Sequence, residues 1–239
     1  MRQIRDLAKS SGFAFMIITE HNDYLDNERI KATEQSCEEL SSDDFVVIPG
    51  LEVRCKEDIH LLTIGRIAEF ANDASLLETL NRSQEIGNLA IIAHPDKDFL
   101  KLQPEIAGII DGFEVWNNKQ DSRWTPSMAA IRQFRGIRDI NRHCFAYAGL
   151  DLHHAYQFAS PWMDINAPSL SRAHIIDALK SGGFAFSNGF ITLSSMAKLN
   201  FSDYWRLSFM YCAKAASRIG AKLLPVNFRV YLKRTMEQA

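Results

Sequence analysis

Six residues that bind metals in other contexts recur at one kind of place, the end of a short apolar run. His21 closes "MIITEH", Glu52 lies in "PGLEV", and His60 opens "HLLTIG". His94 ends "LAIIAH", and Asp151 and His153 close "AGLDLHH". Neutral imidazoles hold borderline divalent cations, while carboxylates offset their charge and can bridge two of them. One such histidine is ordinarily a surface or hydrogen-bonded structural residue. Six in matching places argue for a shared site. His143 precedes its strand and His174 falls in a helical stretch, so both read as structural or exposed. His154 alternates away from His153 if the segment is extended.

The intervening sequence supplies elements able to gather them. "FAFMIIT" (13–19), "FVVIPGLEVRC" (45–55), "HLLTIG" (60–65), "LAIIAHP" (89–95), "GFEVWNN" (112–118), "CFAYAGLDLHH" (144–154) and "FAFSNG" (184–189) read as strands. Helical patterns cover 1–10, the polar stretch up to Leu40, 73–87 with Gly87 as a stop, part of 126–141, and 171–183. The 45–55 and 60–65 segments suggest a strand pair. Alternation of this kind predicts an α/β architecture with a largely parallel sheet, whose strand ends converge on one face.

The chain has 239 residues, of which 46% are hydrophobic, enough for a large core. Four scattered cysteines form no CxxC pair, the first ten residues lack the apolar core of a secretory leader, and no apolar run is long enough to span a membrane. A cytoplasmic location is the expectation. Charge is uneven. Seven of the 27 basic residues fall between Tyr204 and Met236, where there is no acid, so the rest carries 20 bases against all 29 acids.

The order "TEH", "PGLE", "H", "AHP", "FEVWN", "GLDLH" resembles the PHP (polymerase and histidinol phosphatase) family over roughly residues 1 to 190. The resemblance implies a distorted (β/α)7 barrel, TIM-like in outline, that binds up to three divalent ions (zinc, manganese or iron). The family commonly has Thr-Asp-His where this chain has Thr19-Glu20-His21. It also opens with a strand bearing His-x-His, which does not occur here, and "MRQIRDLAKSSG" is similar to the helix that follows that strand. The expectation is therefore a barrel lacking its first strand, with a mis-assigned start favoured over a real truncation.

The resemblance implies one ion site from the absent His-x-His with Glu52 and Asp151. A second uses Glu52, His60 and His94, and a third uses His21 and His153 with another absent ligand. Only the second is complete in this chain. Glu20 and Glu114 are expected to orient neighbours. Arg54, Lys97 and Lys119 are candidates for gripping phosphate, against an ordinary reading as solvated surface charges. Trp116 could stack on a base or sugar, or simply pack. The implied activity is metal-dependent hydrolysis of a small phosphorylated substrate, a nucleotide or an oligonucleotide; no general acid is identified. The alternative is a catalytically impaired metal-binding module acting through a partner. An amidohydrolase-like barrel ranks last, because Lys97 lies past the histidine of its strand.

The domain reading is 1–195 for the phosphoesterase domain and 196–239 for a basic amphipathic helical tail. Arg206, Lys214, Arg218 and Lys222 recur largely at multiples of four, with Phe201, Trp205, Phe209 and Met210 on the same segment. Such a tail suits nucleic acid or an anionic membrane surface. The ordinary reading is a helix packed on the barrel with its charges in water.

Overall fold

A computed structural model describes residues 1–24, 26–71, 73–96, 99, 105–153, 158 and 160–223. Lys97, His154 and the tail residues beyond Leu223, including Arg229, Lys233 and Arg234, lie outside the described residues, as do the side chains of Lys214, Arg218 and Lys222.

Six strands form one sheet in sequence order: β1 (Phe15–His21), β2 (Val46–Arg54), β3 (His60–Ile64), β4 (Leu89–Ile92), β5 (Gly112–Asn117) and β6 (Phe145–Gly149). The pairs β1–β2, β4–β5 and β5–β6 are parallel, whereas β3 is antiparallel to both of its neighbours. This explains why His60 opens its strand while the other candidates follow theirs. A reversed strand brings its beginning, not its end, to the common face.

The sheet is curled into a half-barrel. In a flat sheet, β1 and β6 would stand about 24 Å apart across five strand spacings. Instead the rings of His21, at the end of β1, and His153, just past β6, are 6.3 Å apart. Strand β4 is buried along its length, as is β5, and β2 is buried except at Arg54. The continuous apolar runs follow from being covered on both faces.

The helices α1 (Arg2–Ser10), α2 (Asn27–Leu40), α3 (Leu76–Glu85), α4 (Met128–Ile140) and α5 (Arg172–Ser181) alternate with the strands. Their starts are written locally. Asp26, Ser127 and Ser171 cap α2, α4 and α5, and Ser75 forms a reciprocal capping box with Glu78 on α3. Gly87, with φ of +74°, ends the α3 segment as expected. The main core joins Leu76 and Leu80 of α3 and Ile131 and Phe134 of α4 to Ile91, Phe113 and Val115 of the sheet.

A second, antiparallel sheet comprises β7 (Trp162–Ile165), β8 (Phe184–Ser187) and β9 (Thr192–Ser194). It joins the first through the Ala146 N–H, which donates to the Ser195 carbonyl at 2.7 Å. Sequence patterning indicated only β8 of these three, because β7 is interrupted by the exposed Asp164 and β9 buries only Leu193. Among the described residues, no strand pairs with the outer edge of β1 or of β7. A cleft of about 600 Å³ between them is lined by Gly12, Phe13, Phe15, Trp162, Met163 and Asp164.

The last helix, α6 (Phe201–Leu223), docks through Leu207, Met210 and Tyr211, and the Tyr211 hydroxyl donates to the Pro126 carbonyl. The tail therefore packs on the body along its first half. No described helix is long and apolar enough to cross a membrane. Cys37, Cys55, Cys144 and Cys212 are all free, the first three buried.

Candidate metal centre

The site is built around Glu52. Parallel pairing of β1 and β2 sets His21 beside Glu52, with His21 Nε2 3.8 Å from Glu52 Oε2. The reversal of β3 brings His60 in from the other side, its Nδ1 donating to Glu52 Oε1. The loop after β4 supplies His94, whose Nε2 meets the same oxygen at 3.2 Å. Three imidazoles from three strand ends thus converge on one nearly buried carboxylate. The rings of His60 and His94 are 4.8 Å apart, and those of His21 and His60 are 5.8 Å apart.

The electrostatics follow from this convergence. Burial works against a charge on Glu52, but hydrogen bonds from His60 and His94, with His21 nearby, outweigh it and hold the carboxyl far below the usual carboxylate range. For His94, burial disfavours the charged ring. The bond to Glu52 and the negative charges of Glu114, Glu52 and Asp151 outweigh that and raise its pKa.

Glu114 stands behind His94. Its Oε2 accepts the His94 backbone N–H at 2.7 Å and the Asn117 Nδ2 at 3.0 Å. It therefore orients a neighbour, as expected, and does so through the main chain. Complete burial pushes its carboxyl up to about 7, against the pull of Asn117 and the His94 N–H. His94 has φ of +27° and Asp151 has φ of +49°. Positive φ in residues other than glycine stores on the order of 1–3 kcal/mol each and clusters at functional sites. Sequence reasoning assigned no role to Asn117 or Gly149. Gly149 matters because a Cβ there would lie 2.6 Å from Glu114 Oε1. The signal was present for Asn117, three residues after Glu114 in "FEVWN", but a space requirement leaves no trace in one sequence.

Asp151 and His153 form the opposite wall. His153 Nδ1 is 3.2 Å from Asp151 Oδ1, and the Lys119 ammonium lies 3.4 Å from that oxygen and 3.1 Å from His153 Nε2. His21, Glu52, His94, Glu114, Asp151 and His153 all border one cavity of about 490 Å³. Other candidates lie elsewhere. Arg54 is exposed and donates twice to Asp58, at 2.7 and 2.9 Å. By contrast Glu20, next to His21 at the end of β1, is exposed and also borders that cavity. Trp116 is fully buried and donates to the Ser122 carbonyl, so it packs rather than stacks on a ligand. His143 and His174 are exposed.

One ligand atom each from His21, Glu52 and His60 lie within 4.8 Å of one another. Imidazoles plus a carboxylate on a concave wall are the donor set that borderline divalent cations favour. With Glu52 held ionised, the cluster fits such a cation.

No protein-family model matches this chain, and no curated protein does. Solved structures share its fold. One is a two-domain protein containing a predicted PHP-like metal-dependent phosphoesterase from Bacteroides vulgatus ATCC 8482, with a TM-score of 0.59 over 87% of this chain at 16% identity. The fold is PHP-like. The chain spans 64% of the length of that protein. A second structure, PsfC from Pseudomonas syringae PB-5123, gives a TM-score of 0.56 at 12% identity, covering 90% of this chain and 88% of its own. Within this PHP-like fold, the strand ends that carry the candidate residues line the concave face.

Proposed function

We propose that this chain is the metal-binding core of a metal-dependent phosphoesterase that hydrolyses a phosphomonoester, nucleotide or short oligonucleotide. The observation that carries the reading is the convergence of His60 and His94 on a single oxygen of Glu52, with His21 beside the other. The Bacteroides vulgatus protein, which contains a predicted PHP-like metal-dependent phosphoesterase, supports it at the level of the fold.

His21, Glu52, His60 and His94 would hold zinc, manganese or iron, and Asp151 and His153 would add a second position across the cavity. A bound divalent ion supplies a water acidic enough to be hydroxide near neutral pH and a charge clamp for phosphoryl oxygens. Glu52 contributes the negative charge that retains the ion, while Glu114 fixes the His94 main chain. Lys119, exposed beside Asp151, would grip a substrate phosphate. The expected distorted seven-stranded barrel belongs to the same reading, with the cleft between β1 and β7 as the place where a further strand would close it.

A second reading, a metal-binding module impaired in catalysis that acts through a partner, draws on the Lys119 ammonium already seated on Asp151 and His153. Metal content by elemental analysis, combined with phosphate release from 4-nitrophenyl phosphate in manganese or zinc, separates the two. Bound metal with turnover supports the phosphoesterase, and bound metal without turnover supports the module. A protein that takes up no metal contradicts both.

A further inference from the structure

Helix α6 carries an apolar face that nothing in the described structure covers. Phe201, Trp205 and Phe209 follow one another at intervals of four and are 78%, 66% and 75% exposed. Phe201 and Trp205 stack edge to face at 6.2 Å. Two loop aromatics extend the patch: Phe190 and Trp124, 63% and 44% exposed, have ring centroids 6.1 Å apart. Arg206 ties that loop to the helix by donating to the Phe190 carbonyl at 3.4 Å. A single exposed ring is ordinary, but five in one neighbourhood mark an interaction surface.

The opposite side of α6 is already used. Leu207 is buried, Met210 and Tyr211 pack on the main core, and Asp203 is buried while accepting the Asn200 N–H. The aromatic face is thus the side of α6 turned away from the core. None of the five rings lines either cavity described above, and all five are exposed.

Charge indicates what they meet. Between Tyr204 and Met236 there are seven basic residues and no acid, and the Arg123 guanidinium sits 4.7 Å over the Trp124 ring. The helical series continues in sequence with Cys212, Ala216, Ile219 and Leu223, which are aliphatic or small rather than base-stacking. Aromatic and aliphatic residues along one helix line, with Lys and Arg on the rest and no capacity to span, characterise a helix that lies in a membrane interface. We propose that α6, with Phe190 and Trp124, seats this protein on an anionic lipid surface, the rings entering the headgroup boundary and Arg206 and Arg123, which stand beside them, meeting lipid phosphates and carboxylates.

Vesicle co-sedimentation of the full chain tests this. Binding is expected to phosphatidylcholine vesicles containing phosphatidylserine, to weaken with added salt, and to be much weaker to phosphatidylcholine alone. A Phe201→Ser/Trp205→Ser/Phe209→Ser variant should lose about tenfold or more in vesicle affinity with an unchanged melting temperature, since the rings are exposed. Arg123→Glu/Arg206→Glu should weaken the phosphatidylserine preference, since these are the cations beside the rings. The proposal is overturned if the chain ignores both vesicles, or if the triple variant binds vesicles as the parent does. It is equally overturned if the parent is a dimer that the triple variant dissociates, or if a single-stranded oligonucleotide binds through these rings and vesicles do not.

Discussion

His60 lies two register positions from the residue opposite Glu52, and its Nδ1 reaches Glu52 Oε1 across the antiparallel pair β2–β3. The cross-strand partners are Glu52 with Leu62 and Arg54 with His60, so Glu52 and His60 are diagonal neighbours on one face. Diagonal pairs come within reach only for long side chains, and glutamate with histidine satisfies that. The same carboxylate takes His94 from a parallel part of the sheet. One acid therefore serves strands of both directions, and its removal should disable more than one contact.

Glu52→Gln keeps the shape of the side chain but removes its charge. Zinc or manganese affinity, measured by titration calorimetry on metal-stripped protein, should fall by at least about 100-fold, the upper end of what loss of a mere supporting partner causes. An unchanged affinity would place the metal site elsewhere.

Glu114 gives a pH signature. Burial raises its folded pKa to about 7, above the 4.5 of an ordinary glutamate. Between those values the folded state holds a proton that the unfolded state has released, so this group's contribution to stability declines as pH rises from about 4.5 to 7 and then levels off. The raised pKa of His94 acts in the same sense. Urea melts of metal-free protein should show a Glu114→Gln variant gaining on the parent across this window. A difference that stays flat with pH would contradict the burial argument.

Gly149→Ala should be destabilising by roughly 1–3 kcal/mol, as overpacking usually is, because the new methyl would stand 2.6 Å from Glu114 Oε1. Combined with Glu114→Ala, the change should cost less than the sum of the two single changes. Simple additivity in thermal or urea melts would show that the carboxylate is not what Gly149 makes room for.

Lys119→Met frees Asp151 and His153 from an ammonium at 3.4 and 3.1 Å. Binding of a second divalent ion should tighten, because a competing cation is gone. If Lys119 also grips phosphate, KM for 4-nitrophenyl phosphate should rise severalfold with kcat less affected. A variant with both quantities unchanged would return Lys119 to the solvated surface.

Much of this centre was legible in sequence because strand ends are. An apolar run that stops on His21, His94 or Asp151 announces both its direction and its open end. His60 and Glu52 were legible as candidates, yet the strand reversal that unites them was visible only as a suggested pair. Asn117 bonds Glu114 within β5, three residues along in "FEVWN", whereas Gly149 acts through a space across β5 and β6, a relation between strands that no single segment encodes. Strand β7 carries the exposed Asp164 and β9 buries only Leu193, so neither shows the apolar run that marks β8. Arg54 went to Asp58, four positions away, a local ion pair that competes with any distant phosphate.

The most direct test is an anomalous difference map from crystals of this protein soaked in zinc or manganese. A peak is expected at bonding distance, about 2.0–2.2 Å, from a Glu52 oxygen and from ring nitrogens of His60 and His94. Crystals that show no peak there, or show their only strong peaks on surfaces away from Glu52, would contradict the assignment of this cluster as a metal centre.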